Sequence, residues 1–507
     1  MNKSISTLTA FFVCLTLSGQ NTLTLQDCRN LAIENNKQLQ IGKENIRKSQ
    51  LEKKVALTQY LPDISFTGTY FHNQKNFSLL NEDKFLPIGT KMSDGSFGFT
   101  PDQINNQWTS INGSPVPLDA NGQAFDPSKN PEKILWKQYT TIPKNEFEMD
   151  VKNVWAGNLS IIQPIFMGGK ITAYNQIAEY AEQLAQSIQN TGLQEVIVKT
   201  DETYWQVISL NNKKKMADAY VELLRKMDND VREMITEGFA TKADGLSVRV
   251  KLNEGEMLQT KVENGLRLSK MLLCQLCGLP IEEDIRLDDE LTDNFSVNSI
   301  PLLPDLNNAF MNRPELKSLT LATKIYEKKE RIVRSEMLPK IALSGNYIVT
   351  NPNMFNGFRD EFAGMWNIGV IVNVPIFHWG ERFHKLNAAK SETRIKKLEF
   401  EETKEKIELQ VNQSTFKMNE AQKKLIAAAK NMESAEENLR YATLGFEEGV
   451  IPVSNVMEAH TAWLQAKSEF IDSQIEYKLS IVYLNKATGT INSSSGELNS
   501  STSNLPD

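Results

Sequence analysis

Four histidines and four cysteines are the side chains in this sequence best suited to hold a metal or carry a nucleophile, and their spacing serves neither chemistry. His72, His378, His384 and His460 stand in scattered contexts, and the two in "FHWGERFH" lie six residues apart, a spacing that does not place them on one helix face. No nucleophile motif, metal-ligand set or cofactor fingerprint accompanies them, so the sequence does not read as an enzyme. Cys274 and Cys277 have Cys-x-x-Cys spacing at the end of an expected helix, just before Gly278-Leu279-Pro280. With no further ligand nearby they read as small apolar packing residues. With Cys28 they make an odd set, which is no disulfide framework.

The informative residues are instead those that occur twice. "QPIFMGGK" at Gln163–Lys170 and "VPIFHWGER" at Val374–Arg382 share Pro-Ile-Phe-x-x-Gly, with Pro164 and Pro375 standing 211 residues apart. Gly238 and Gly449 repeat that offset in "EGFA" and "EGVI", as do Gly278 and Gly489. Upstream, "LPDISFTGTY" at Leu61–Tyr70 answers "LPKIALSGNY" at Leu338–Tyr347 with an offset of 277. Spacing kept at several landmarks means an internal duplication. The change from 277 to 211 locates an insertion of 66 residues between Tyr70 and Trp155. Its Asn, Pro, Gly and Asp content predicts a long surface loop over 73–151 with little regular structure.

The elements that must position these motifs follow from periodicity. Each half reads helix, strand, loop, strand, long helix, turn, long helix. Period-2 alternation predicts strands at about 61–72, 152–166, 340–350 and 364–377. Trp366, Ile368, Val370, Val372 and Val374 fall on one face, with Asn367, Gly369 and Asn373 on the other. Strands of about ten residues match those that cross a bilayer in a tilted barrel. From Arg382 to Glu448 there is no Pro and a single Gly, and an apolar seam runs Ile407, Val411, Ser414, Met418, Ala421, Leu425, Ala428, Met432, Ala435, Leu439, Ala442, Phe446. Its alternating steps of four and three give the 3.5-residue period of coiled-coil packing. The first half carries a weaker version, Val207, Leu210, Lys214, Ala217, Val221, Leu224, Asp228, Val231 and Ile235, interrupted by Lys214 and Asp228.

The 507-residue chain has a net charge of −7 with acids and bases interspersed, which argues against a nucleic-acid partner. Lys3, the apolar stretch Ile5–Leu17 and the exit "LSGQ" describe a secretory leader, expected over 1–19. Cys14 lies inside the apolar body and does not suggest lipid anchoring. The first repeat is then expected over 20–280, with its helical tip near 238. The second is expected over 281–489, with its tip near 449. The Ser- and Asn-rich tail, 490–507, is expected to be disordered. Four strands cannot close a barrel in lipid, because an open edge leaves backbone groups without partners. A membrane reading therefore requires several chains to pool their strands.

Over about Leu23–Gly489 the sequence resembles the TolC family of outer-membrane efflux proteins. The resemblance rests on "LTLQDCRNLAIENNKQL", the two Leu-Pro-x-Ile strand openings, the two Pro-Ile-Phe-x-x-Gly turns and the two Glu-Gly turns, all in order and duplicated. It implies an α+β membrane protein: a homotrimer whose β-barrel, four strands per chain, continues into a long α-helical coiled-coil barrel. It implies localisation in the outer membrane, extending into the periplasm, with outer-membrane lipid around the barrel. It also implies a periplasmic adaptor (membrane fusion) protein and an inner-membrane transporter of RND or ABC type as partners in an efflux pump or type I secretion system. On this resemblance Gly238, Phe239, Ala240 and Thr241, with Gly449, Val450 and Ile451, match adaptor-docking tips. Asp244, Phe446, Asn455 and Glu458 match a periplasmic gate, and Ile451 stands where relatives place an Arg link. Pro164, Gly169, Pro375 and Gly380 are expected at barrel-to-helix junctions. A second reading, an exported periplasmic coiled-coil structural protein without a pore, accounts for the heptads and the leader but not for four alternating strands.

Overall fold

The computed structural model describes residues 22–291 and 306–491. The expected leader and all but the first two residues of the expected tail lie outside the described residues. The chain divides into two compact units. Among the described residues, one comprises 22–58, 169–291, 306–337 and 376–491; the other comprises Gln59–Gly168 and Leu338–Pro375.

The first unit is helical, and the duplication sets its dimensions. Helix α1 (Leu25–Asn35) is followed by α2 (Lys37–Thr58), and α5 (Leu306–Asn312) by α6 (Pro314–Ser335); α2 and α6 each have 22 residues. Helix α3 (Lys170–Thr236) and its counterpart α7 (Glu381–Glu447) each have 67 residues, while α4 (Lys242–Cys277) and α8 (Val453–Thr488) each have 36. At 1.5 Å per residue the longer pair reach roughly 100 Å. The predicted seam of α7 is its inner face: Ile407, Val411, Met418, Ala421, Leu425, Ala428, Met432 and Ala442 are buried, and the remaining seam residues half-buried. Ala421 and Leu425 pack on Tyr477 of α8, so the small residue lets a large one from the facing helix come close. In the first hairpin Gly255 of α4 plays the small part. A Cβ there would meet Leu224 of α3 at 3.2 Å.

All four long-hairpin helices end in the same cap. After α3, the Gly238 N–H donates to the Ile235 carbonyl and the Phe239 N–H to that of Met234. After α7, Gly449 and Val450 donate to Phe446 and Gly445. Gly278–Leu279 and Gly489–Thr490 repeat the pattern after α4 and α8. This is the paired Schellman arrangement, which requires a left-handed residue. The four glycines have φ of 81°, 73°, 73° and 70°.

The second unit is built on one antiparallel sheet of β1 (Asp63–His72), β2 (Asn153–Phe166), β3 (Lys340–Asn351) and β4 (Ala363–Asn373), in the order β4-β3-β2-β1. Direct cross-strand partners share a face. Phe66, Leu159 and Tyr347 are in register, as are Tyr347 and Trp366. These apolar side chains are exposed together with Ile64, Ile368, Val370 and Val372. The opposite face carries Ser65, Ser160, Asn346 and Asn367, and Asn346 donates to Asn367 at 3.0 Å.

One expectation gains detail and one is corrected. Within 73–151 the chain forms only short ladders: Phe77–Ser78, Lys84–Pro87, Thr90–Lys91 and Trp108–Ile111 pair with Glu148–Met149, Tyr139–Ile142, Phe97–Gly98 and Ser114–Pro117. Asn112-Gly113, with both φ positive, turns the last ladder as a two-residue hairpin loop. The final strand ends at Asn373 rather than 377, because Pro375 has no N–H with which to continue the ladder.

Candidate functional site: hairpin tips and strand-to-helix junctions

The two hairpin tips arise from the caps just described. With Gly238 and Gly449 turning the chain, the next residue is thrown outward: Phe239 is 80% exposed and Val450 79%. The following residue folds back in each case. Ala240 packs against an apolar cluster that includes Val231 and Val248. Ile451 lies over Gly445, where a Cβ would meet its Cδ1 at 2.5 Å. Thr241 begins α4 with a capping box: its hydroxyl accepts from the Asp244 N–H at 3.3 Å, while the Asp244 carboxylate accepts from the Thr241 N–H at 2.9 Å.

Asp244, expected at a gate, is therefore already engaged within its own chain. Hydrogen bonds from the Thr241 hydroxyl and N–H hold its carboxyl below the usual carboxylate range. Phe446 is half-buried against a cluster drawn from both hairpins, including Met227 and Val231 of α3, Val248 of α4, Ala442 of α7, and Val453 and Met457 of α8. Asn455 and Glu458 are exposed on the first turns of α8. The four expected gate residues thus lie at the tip ends of α4, α7 and α8.

One ionic group at this end was read in the sequence only as a flaw in the seam. Asp228, 4% exposed, pairs with Arg232 one turn on and with Arg249 of α4 at 3.7 Å. A buried acid at a seam position requires a cationic or hydrogen-bonding partner, here supplied by two half-exposed arginines, and that requirement was the available signal. A second pair had no such signal. Arg29 of α1 donates through Nε and Nη2 to the Asp201 carboxylate of α3 at 2.7 and 2.6 Å, with both side chains buried. Arg313 is likewise buried and donates to the carbonyls of Lys486 and Ala487 at 3.2 Å, tying α6 to the end of α8.

At the junctions, Pro164 is not the last strand residue. It lies in β2 opposite Ala342, where the β2–β3 register shifts before Phe166. Pairing with β1 has already ended at Ile162, so Pro164 needs no donor on that side. Gly169 and Gly380 are the left-handed residues directly preceding α3 and α7, with φ of 84° and 80°. Pro375 stands two residues beyond the end of β4.

The cysteines form an apolar group larger than the sequence indicated. Cys28 of α1 joins Cys274 and Cys277 in a core with Tyr204 and Leu273. The Cys277 thiol donates to the Cys28 carbonyl at 3.5 Å, and burial pushes the Cys274 thiol up to about 11. Burial thus keeps the Cys274 thiol un-ionised.

A four-stranded sheet with one apolar face, joined in one chain to two helical hairpins of matched length, is the protomer plan of TolC-like channels. The comparisons agree. The family model "Outer membrane efflux protein" matches residues 306–490, and no curated protein sequence matches the chain. Among solved structures the chain is similar to CusC, with 12% identity, a TM-score of 0.67 and 92% of each chain covered. It is similar to the Campylobacter jejuni CmeC outer membrane channel, with 16% identity, a TM-score of 0.67, and 92% of this chain and 85% of that one covered. The open state of the Neisseria gonorrhoeae MtrE outer membrane channel gives 15% identity, a TM-score of 0.65, and coverages of 92% and 88%. The second half of the chain thus matches the outer membrane efflux protein family model, and the chain as a whole has the fold of these channels. No helix among the described residues is long and apolar enough to cross a membrane.

Proposed function

We propose that this protein is the passive exit duct of a tripartite efflux pump or a type I secretion system, carrying small molecules or polypeptides across the outer membrane. The observation that carries this reading is the sheet. Its apolar face is exposed to the surroundings, and β1 and β4 each have one unpaired edge. In lipid such edges cost several kcal/mol per unmade hydrogen bond, roughly, so the sheet must be closed by copies of itself. Three chains of four strands give a twelve-stranded barrel, above the minimum of about eight. The helical hairpins of the same three chains then form the periplasmic tunnel. Exposed apolar residues on α4 (Leu246, Val250, Met257, Leu268) and on α7 (Leu409, Phe416, Ile426) support lateral packing between copies.

The tips at Gly238–Thr241 and Gly449–Ile451 present Phe239 and Val450 to an adaptor protein, which would connect the duct to an RND- or ABC-type transporter. Gating falls to the same end. Asp244 is engaged in its cap and Phe446 in an apolar cluster, which favours closure held mainly by apolar contact, with Asn455 and Glu458 on the exposed surface. Pro164, Gly169, Pro375 and Gly380 act as the junctions between strand and helix.

The test is reconstitution of the purified chain in planar bilayers. A heat-modifiable oligomer with discrete conductance steps is expected. A protein recovered only in the soluble periplasmic fraction would instead support a structural coiled coil without a pore. Phe446→Ala should raise the open probability more than Asp244→Ala. If neither changes conductance, the gate assignment fails.

A further inference from the structure

The two strand-to-helix junctions have diverged in one respect. Where the first repeat has Met167-Gly168, the second has His378-Trp379, and where the first has Ile171-Thr172 the second has Arg382-Phe383. Gly168 adopts φ 65°, an ordinary value for glycine; Trp379 occupies the corresponding position at φ 47°. A bulky residue is rarely held in that region, and a strained residue that persists points to a role for its side chain.

That side chain reaches solvent. Trp379 is 89% exposed and Ile376 92%, and Phe377 and Phe383 are exposed beside them. Phe377 and Trp379 meet edge to face at 5.0 Å between ring centres, so the aromatic pair is fixed. Next to it, the Arg382 guanidinium lies 3.2 Å from Nδ1 of His378 and 3.4 Å from Nε2. Glu381 pairs with Lys385 at 2.6 Å, and the charges of His378 and Arg382 add to Lys385 in holding the Glu381 carboxyl below the usual range. The cluster therefore combines exposed rings with a guanidinium seated on an imidazole.

In sequence this segment begins three residues after β4, whose row Trp366, Ile368, Val370 and Val372 is exposed and apolar. Amphipathic rings beside a cation fit the boundary of a bilayer, where indoles lie at headgroup level and a guanidinium meets phosphate. We propose that Ile376, Phe377, Trp379 and Phe383 enter the periplasmic leaflet of the outer membrane, with Arg382 and His378 binding the phosphate of a phospholipid there. Both junctions expose an Ile-Phe pair, and the second adds Trp379 and Phe383 with the His378–Arg382 pair to it. The proposal rests on the outer-membrane placement of the sheet.

The experiment uses the full chain reconstituted in phosphatidylethanolamine–phosphatidylglycerol vesicles, with tryptophan fluorescence read as the difference between wild type and Trp379→Phe. Lipid brominated near the headgroup should quench the Trp379 component more strongly than lipid brominated near the chain end. Aqueous acrylamide should quench it less than in lipid-free detergent. Arg382→Ala with His378→Ala should lower the ratio of phosphatidylglycerol to phosphatidylethanolamine retained through purification, and inorganic phosphate should not displace the lipid. A Trp379 component untouched by either brominated lipid and open to acrylamide overturns the proposal, as does displacement by inorganic phosphate. Conductance is measured on the same vesicles. Conducting channels with an aqueous Trp379 refute the anchor alone, whereas absent conductance counts against the duct, and the quenching is read in either case.

Discussion

Arg29–Asp201 is the residue-level feature with the largest consequence for folding, because both charges lie inside the helical unit and are satisfied largely by each other. Burial outweighs the neighbouring guanidinium and leaves the Asp201 carboxyl above its ordinary range. Asp201→Ala deprives a buried cation of its carboxylate and should destabilise the chain by about 3–5 kcal/mol, seen as a lower denaturant midpoint. His460 makes a different prediction. It is 6% exposed beside Tyr220, its Nδ1 has no hydrogen-bond partner, and burial pushes its pKa from 6.5 down to about 4. Above pH 6.5 neither folded nor unfolded chain holds the proton. As pH falls towards 4 only the unfolded chain takes it up, so stability is lost across that window, by up to about 3 kcal/mol. Thermal unfolding at pH 7 and pH 4.5 should show a drop for the wild type that His460→Phe reduces. Neither residue was singled out as buried from the sequence, since pairing and burial between segments far apart in the chain leave no local spacing.

At the scale of elements the sequence was most legible where one period runs unbroken. The seam of α7 was visible residue by residue because coiled-coil packing imposes its own repeat. The Ala421 position tests it. Ala421 is 1% exposed against Tyr477, so Ala421→Leu should overpack the α7–α8 hairpin, cost about 1–3 kcal/mol and lower the midpoint of helix melting by circular dichroism. The 73–151 segment was less legible. Its ladders are as short as two residues, too brief for alternation to register, although Asp94-Gly95 and Asn112-Gly113 were turn signals in plain view. The candidate tips were found through glycine spacing, and the caps give the reason: a left-handed residue is needed there. The ion pair of Asp228 with Arg249 was hidden because its partners sit on different helices.

At the scale of the whole molecule, the duplication governs more than sequence similarity. Helices α3 and α7 match in length to the residue, as do α4 and α8, although few side chains correspond. Composition could diverge while length could not, which locates the constraint in where the hairpins end. Seven residues inserted into both α7 and α8 preserve the heptad phase and the local packing. They should nevertheless lower one tip by about 10 Å relative to the other. Such a variant is expected to fold and to form the oligomer, but to lose export in cells. The same insertion made in all four helices should restore export if a level rim is what matters.

That equality bears on how such a chain can change over time. A point substitution on a hairpin can be accepted alone, but a change of length must arrive in four places at once. Insertions are therefore expected to accumulate where no counterpart has to follow, and the 66 extra residues between β1 and β2 are such a case. The loop end of the sheet is free to lengthen on one side only, while the hairpin end keeps a common ruler.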